Sequence, residues 1–480
     1  MDRQDARDSP FLGDADTRSR ILASVLTTAA AVAVALGTSL QIGYGAGVMN
    51  NLAPLTSASL VDPLEVWQWA LIVSAFGFGG LLGAVLTNSA IGAIGHRAGL
   101  LVTSALVFVS SAILFLGTSW WVLFVGRILS GTVAGIGSGL VPIFLAELST
   151  SASAQRAFGT VHQLSIRLGV FLPQLLTTPE LQWLGTRARW RLVFLVPAFC
   201  TITQCVILPL IPTESREALI QRAMHAVGSG GAGPLGRSPE SAYSVGELVG
   251  ARKHRKQLLL CGGLLVSVQL CGVDVLLAYS SMVFRGARLA HPELTTATLS
   301  AVHVILAPVA PLLAGRFDRR YLLVHAWLAM GASYALSAFA LVCSSLGVLP
   351  GFTHALALIS MVGVLAAFAA GPAGVVWLTA LDLFPPYAKD AVVALGVASV
   401  WLANSATSLL FPVVHEQLGP ASMLVFAAST FSFAYLTARF VPETRHRSLV
   451  DIGVDVAQRI PATPQRSESS SRSPSGDAQG

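Results

Sequence analysis

The stretch that decides the fold is Val268–Tyr279, VQLCGVDVLLAY, which lies inside a longer apolar segment, residues 258–284. That segment is long enough to cross a bilayer, because a helix of about 20 apolar residues spans the hydrocarbon core. It nevertheless holds Gln269 and Asp274, and polar groups at that depth are costly unless they line a cavity. Gly272 between them favours a break in the helix. The stretch therefore predicts a membrane helix that presents polar side chains to an internal cavity.

The composition is that of a multi-pass membrane protein. Of the 480 residues, 54% are hydrophobic and 11% are charged, a balance that excludes an ordinary soluble domain. Apolar runs of about 20 residues predict an all-α membrane protein with twelve transmembrane helices in two pseudo-symmetric six-helix halves. The spans are expected at residues 21–43, 66–89, 98–118, 121–146, 157–178, 190–211, 257–284, 295–315, 321–346, 353–383, 389–414 and 420–441.

The hydrophilic segments set the expected boundaries and orientation. Lys and Arg are concentrated in the tails, in alternate loops and in the long central connection, and such residues accumulate on the cytosolic side. The predicted order is a cytosolic N-terminal tail (1–20), the first half (21–211), a cytosolic loop (212–256), the second half (257–441) and a cytosolic, largely disordered C-terminal tail (442–480).

Corresponding polar sets occur in the two halves. Each has a basic turn and a carboxylate at the end of a later helix, followed by a cation with which that carboxylate can pair. We expect these residues to form gates at the cytosolic surface, although basic short loops also occur in membrane proteins of other functions. The gating residues are Arg97, Glu147 and Arg156 in the first half, and Arg319, Arg320 and Asp382 in the second.

Several motifs resemble those of the sugar porter family of the major facilitator superfamily, and especially its facilitative hexose transporters. The motifs are VGRILSG at 125–131 with PIFLAE at 142–147, HQLS at 162–165, QLCG at 269–272, GPAGVVW at 371–377, and VPETRHR at 441–447. The resemblance extends from about residue 36 to residue 447. It implies a transporter without catalytic residues or a cofactor, with a small sugar and the lipid bilayer as partners and no nucleic acid.

The resemblance implies substrate contacts for Gln163, Gln269, Trp377 and Trp401. Amides suit sugar hydroxyls, because both groups donate and accept hydrogen bonds, and an aromatic ring suits the apolar face of a sugar. Each residue also has a structural interpretation, since Trp often packs between membrane helices and Gln often bonds a neighbouring helix.

Other site positions depart from the family. Asp274 and His303 stand where the family has asparagines, and Arg167 follows Gln163 by one helical turn on the same face. An unpaired cation at mid-membrane costs about 2.5–3.5 kcal/mol or more. We therefore expect Arg167 to pair with Asp274 or to receive an anionic ligand. His303 is either a neutral substitute for asparagine or a proton-responsive group.

The sequence favours transport of a hexose-like monosaccharide by alternating access, most simply as facilitative uniport. Proton-coupled relatives carry an aspartate directly after the Gly-Tyr pair of span one, where this chain has Gly45. Two alternatives stay open: a proton-coupled or anionic-substrate transporter that uses Arg167, Asp274 and His303, and a membrane sensor that does not transport. The expected location is the plasma membrane, with an endomembrane as the alternative.

Overall fold

A computed structural model describes residues 25–60, 64–87, 94–149, 151–210, 243–251 and 254–459. All regular elements in these ranges are helices, as expected in lipid, where each backbone polar group needs a partner within the protein. Nine helical segments of the described chain are long and apolar enough to cross a membrane, and one of them, Pro386–Phe440, contains two spans. The polar-faced span five and the interrupted span eight complete the predicted twelve.

The first half contains spans one to six. Span one includes a π-helical turn, Ala35–Ser39, and is followed by a short helix, Ala53–Ser57. Span six is α-helical only over Val196–Ile207, with tighter 3-10 turns on either side. The six spans are Val25–Gly47, Val66–Leu86, His96–Leu116, Trp120–Leu148, Ala152–Leu176 and Trp190–Leu210.

Three spans of the second half are broken. Span seven is Arg255–Leu270 and Val273–Gly286, span eight is Pro292–Ile305 and Val309–Ala314, and span ten is Pro350–Ala370 and Pro372–Asp382. The others are Arg319–Ser345, Lys389–Leu418 and Met423–Phe440. The predicted break at Gly272 is confirmed: its φ is +80°, and a Cβ atom there would lie 2.3 Å from the Phe426 ring. Only glycine combines that backbone with that close approach.

Two short helices lie outside the spans at one end of the bundle, which we call the linker face. The linker helix, Val245–Gly250, begins with a capping box between Ser244 and Glu247. The tail helix, Leu449–Arg459, packs against spans seven and twelve and buries Ile452 and Val456. This helix lies at the start of the 442–480 tail that is expected to be largely disordered, and its apolar side chains four residues apart share one packed face. The predicted 1–20 tail, most of the 212–256 loop and residues 460–480 lie outside the described residues.

The two halves meet along two pairs of spans. Span two packs on span eleven, and span five packs on span eight. At the first contact, a Cβ atom on Gly80 would lie 2.3 Å from the Trp401 ring. Small residues allow such close approach of helices in membranes. These contacts bring the polar residues of spans five, seven, eight and eleven to the centre of the protein.

Candidate functional site

An amide and carboxylate cluster lies at the break in span seven. Gln269 ends the first helical segment, and Asp274 lies in the first turn of the second, where the helix dipole favours a negative charge. Asn404 of span eleven donates through Nδ2 to Gln269 Oε1 at 3.0 Å and to Asp274 Oδ2 at 3.5 Å. Asp274 and Asn404 are half-buried. The three side chains thus present a neutral amide pair and one carboxylate to ligands.

The second part of the site joins the two halves. Arg167 of span five contacts His303 of span eight through Nη1 and Nε2, and both side chains are buried. One turn earlier, Gln163 is exposed and makes no hydrogen bond to the described residues. An exposed amide beside a buried charged contact is positioned to receive a polar ligand.

The predicted Arg167–Asp274 ion pair is wrong for this conformation. No carboxylate of the described residues lies within 4.0 Å of the Arg167 guanidinium, although Asp274 still acts on it at longer range. His303 faces Arg167 directly, whereas Asp274 is oriented toward the amide of Asn404. The histidine therefore takes the place that the sequence interpretation gave to Asp274.

The two tryptophans have different surroundings. Trp401 is buried, meets the Phe76 ring edge to face at 5.6 Å, and donates from Nε1 to Ser138 Oγ at 3.2 Å. It therefore packs between the halves. Trp377 is half-buried, and its ring lies 3.3 Å from the position a Cβ atom would take on Gly396. Of the two, only Trp377 keeps a partly accessible ring in this conformation.

The end of the bundle opposite the linker face is sealed by neutral hydrogen bonds between the halves. Asn50 donates to Leu277 O at 2.5 Å and to Ser280 Oγ at 2.9 Å, and accepts from the Ser281 amide at 3.1 Å. Gln174 donates to the same Leu277 carbonyl at 2.8 Å and accepts a hydrogen bond from Ser300. We call these residues the polar seal. The Arg167–His303 contact lies below it, one to two turns closer to the linker face along spans five and eight.

The gating residues at the linker face pair within each half. Glu147 lies 2.8 Å from His96 Nδ1, and Asp382 forms an ion pair with Arg319. The expected Glu147–Arg156 pairing is wrong here. His96 of the basic turn contacts the Glu147 carboxylate instead, and Arg156 is exposed without an ion pair to the described residues. Arg97 is half-buried beside His96, and Arg320 donates from Nη2 to Ala438 O.

Sequence reasoning missed Asn404 and the polar seal. Asn404 lies one turn after Trp401 on the same helix face, and that spacing could have found it. Asn50 and Gln174 stand at span ends, where polar residues are common, so their sequence signal was weak. For a metal or cofactor the site offers little: the described residues hold no cluster of three His, Cys, Asp or Glu side chains.

Comparison with known proteins decides the family. The model of the family described as "Sugar (and other) transporter" matches residues 30–455. This chain belongs to that family. Sugar transporter family members move solutes across membranes, so the protein is a transporter and not an enzyme.

Relatives and solved structures agree with this family. The human facilitated glucose transporter member 4 of solute carrier family 2 is 28% identical over 89% of this chain and 90% of its own length. The chicken facilitated glucose transporter member 3 of the same solute carrier family is 26% identical over 92% of this chain and 94% of its own length. Two structures of a D-xylose transporter share the fold. The D-xylose–proton symporter has a TM-score of 0.71 at 22% identity and covers 88% of this chain and 99% of its own. The inward-open structure of the xylose transporter of E. coli has a TM-score of 0.71 at 21% identity. It covers 89% of this chain and 99% of its own chain.

Proposed function

We propose that this protein carries a hexose-like monosaccharide across the membrane by alternating access, as a facilitative uniporter. The observation that supports this most is the set of amides in the two halves: Gln163 of the first half is exposed, and Gln269 and Asn404 of the second half form a hydrogen-bonded amide pair. Amides can both donate to and accept from sugar hydroxyls. The relatives named as glucose and xylose transporters support a sugar as the substrate.

The orientation follows from charge. Basic residues concentrate at the linker face, so we assign that face to the cytosol. With this assignment, the polar seal closes the external side. The plasma membrane is the proposed location. An epitope inserted near Gly231 should stay inaccessible to antibody on intact cells and become accessible after permeabilisation. Labelling of intact cells would contradict the assigned orientation.

Uniport is supported by the surroundings of Arg127. Its guanidinium donates to the carbonyl of Gly45 at 2.5 Å and stacks on Phe76 at 4.7 Å from the ring centroid. The Phe76 ring also fills the space beside Gly45, because a Cβ atom there would lie 2.2 Å from it. The position that holds an aspartate in proton-coupled relatives is therefore occupied by an aromatic ring, and the arginine is satisfied without a carboxylate.

Transport by purified protein in liposomes tests the proposal. Labelled glucose should equilibrate across the membrane, its entry should accelerate when unlabelled glucose is inside, and an imposed pH gradient should not drive accumulation. Asp274→Asn should behave in the same way, because asparagine still bonds Asn404. Substrate-driven proton movement that disappears in Asp274→Asn would show instead that transport is proton-coupled. Absence of binding and transport of any sugar by folded protein would refute the function.

A further inference from the structure

The guanidinium of Arg167 has one edge without a partner. Its Nη1 contacts His303, whereas Nε is buried and makes no hydrogen bond, and Nη2 has no partner among the described residues. The side chain is 9% exposed. The Nε–Nη2 edge of arginine presents two parallel donors, which is the geometry that binds a carboxylate in a bidentate manner.

The contact with His303 fixes where its proton resides. Arginine has no acceptor, so Nε2 of the histidine must accept the hydrogen bond. The imidazole proton then lies on Nδ1, which is buried and also lacks a partner. A buried donor without a partner is costly. Among the described residues, Arg167 Nε and His303 Nδ1 are thus two buried donors without partners, one on each side of this contact.

The local charge is positive at this contact. No carboxylate of the described residues reaches within 4.0 Å of Arg167, and the nearest acidic influence, Asp274, is already bound by Asn404. Phe368 stands beside His303 with its ring centroid 6.5 Å away and is buried. An apolar neighbour strengthens the attraction of an unpaired cation for an anion.

We propose that the free Nε–Nη2 edge of Arg167, with the guanidinium held in place by His303, forms a subsite for a carboxylate, so that the preferred substrates are sugar acids of the hexuronate class. This inference rests on the proposed function and names its substrate class. The sugar ring would extend from the carboxylate toward Gln163, one turn closer to the linker face, and toward the Gln269–Asn404 amides. A phosphate dianion is disfavoured, since it would meet a single unpaired positive charge with Asp274 nearby.

The geometry also gives the contact a role in the transport cycle. Arg167 belongs to the first half and His303 to the second, so opening of the polar seal separates them. The guanidinium would then lose the hydrogen-bond partner that it has among the described residues. A bound carboxylate keeps that charge compensated while the halves move apart, which couples substrate binding to the change of state.

The test compares glucuronate with its neutral isostere glucuronamide in liposomes that contain the purified protein. Both compete with labelled glucose, and glucuronate should compete about tenfold or more better, because a bidentate charged contact is lost in the amide. Arg167→Gln should abolish this preference, so that glucuronate and glucuronamide compete equally with labelled glucose. Arg439→Gln, which removes an exposed arginine at the end of span twelve, is the matched control and should keep the preference.

Thermal stability in detergent provides a second readout that does not need transport. Glucuronate should raise the melting temperature of the wild type more than glucuronamide does, and His303→Asn should reduce that difference. Equal competition by glucuronate and glucuronamide in the wild type would overturn the subsite. So would an equal loss of affinity for glucose, glucuronate and glucuronamide in Arg167→Gln. If glucuronate selectively stabilises a protein that moves no sugar, the subsite stands and the transport function fails.

Discussion

His96 Nδ1 lies 2.8 Å from Glu147 at the linker face, whereas the corresponding carboxylate of the second half, Asp382, is bound by Arg319. The two contacts occupy matching places but differ in kind. An arginine is always charged, whereas an imidazole gains and loses its charge within the physiological pH range. The Arg319 side chain is also the less exposed, at 18% against 32% for His96.

We therefore predict that Asp382→Asn destabilises the protein more than Glu147→Gln. Loss of Asp382 leaves a partly buried guanidinium without its anion, at a cost of about 1–3 kcal/mol, whereas the exposed pair of Glu147 contributes about 0–1 kcal/mol. Melting temperatures of purified protein at pH 7 measure the difference. Glu416→Gln, at an exposed carboxylate, serves as the control. Equal losses in the two variants would contradict the distinction between the halves.

Gly45→Asp should not convert the protein into a proton-coupled transporter. The new side chain meets the Phe76 ring, and overpacking of this kind costs about 1–3 kcal/mol. We expect a lower melting temperature without substrate-driven proton movement, and partial recovery of stability in Gly45→Asp with Phe76→Ala. Gly246→Asp is the matched control, because a Cβ atom on that glycine meets nothing within 4 Å. A stable Gly45→Asp protein would show that the ring moves aside readily.

Double-mutant cycles should detect coupling between Arg167 and His303. Arg167→Met and His303→Leu each break one buried contact, so the double variant should lose less stability than the sum of the single changes, by about 1 kcal/mol. The cycle of Arg167→Met with Asp274→Asn should show a smaller coupling, because Asp274 acts only at longer range. A larger coupling energy for Arg167 with Asp274 than for Arg167 with His303 would support the ion pair that the sequence predicted.

Asn50→Ala should open the external side more often. The change removes three side-chain hydrogen bonds between the halves, and each contributes about 1 kcal/mol. In a background without native cysteines, labelling of Ser300→Cys from that side should rise by about tenfold or more. Thr298→Ala removes a hydroxyl that bonds only its own helix and should leave labelling unchanged. Unaltered labelling in Asn50→Ala would mean that other contacts hold the seal.

The twelve-span fold could be predicted from the sequence because its signal is strong. Long apolar runs separated by basic turns fix the number of helices and their order, and the Gly272 break followed from one glycine between two polar residues. The order in the tail helix was missed, since Ile452 and Val456 give only one short amphipathic repeat in a polar segment.

Sequence could name candidate site residues but not their contacts. Arg167 and Asp274 stood out as charged residues in apolar spans, and the family resemblance pointed to Gln163, Gln269 and His303. Which of them touch depends on helix rotation and on the distance between spans, and neither is encoded in one-dimensional spacing. The same limit applies to Trp401. Its ring packs between the halves because Gly80, which has no side chain, leaves room for it.

The polar seal has a consequence for the energy landscape of the protein. Its central bonds join amides, hydroxyls and a backbone carbonyl, all uncharged. When such groups separate they exchange one hydrogen bond for another with water, at a small net change in free energy. Breaking the seal therefore costs less than separating buried ion pairs would. Such a seal suits a passive carrier, because a carrier turns over fastest when neither of its two states is a deep minimum.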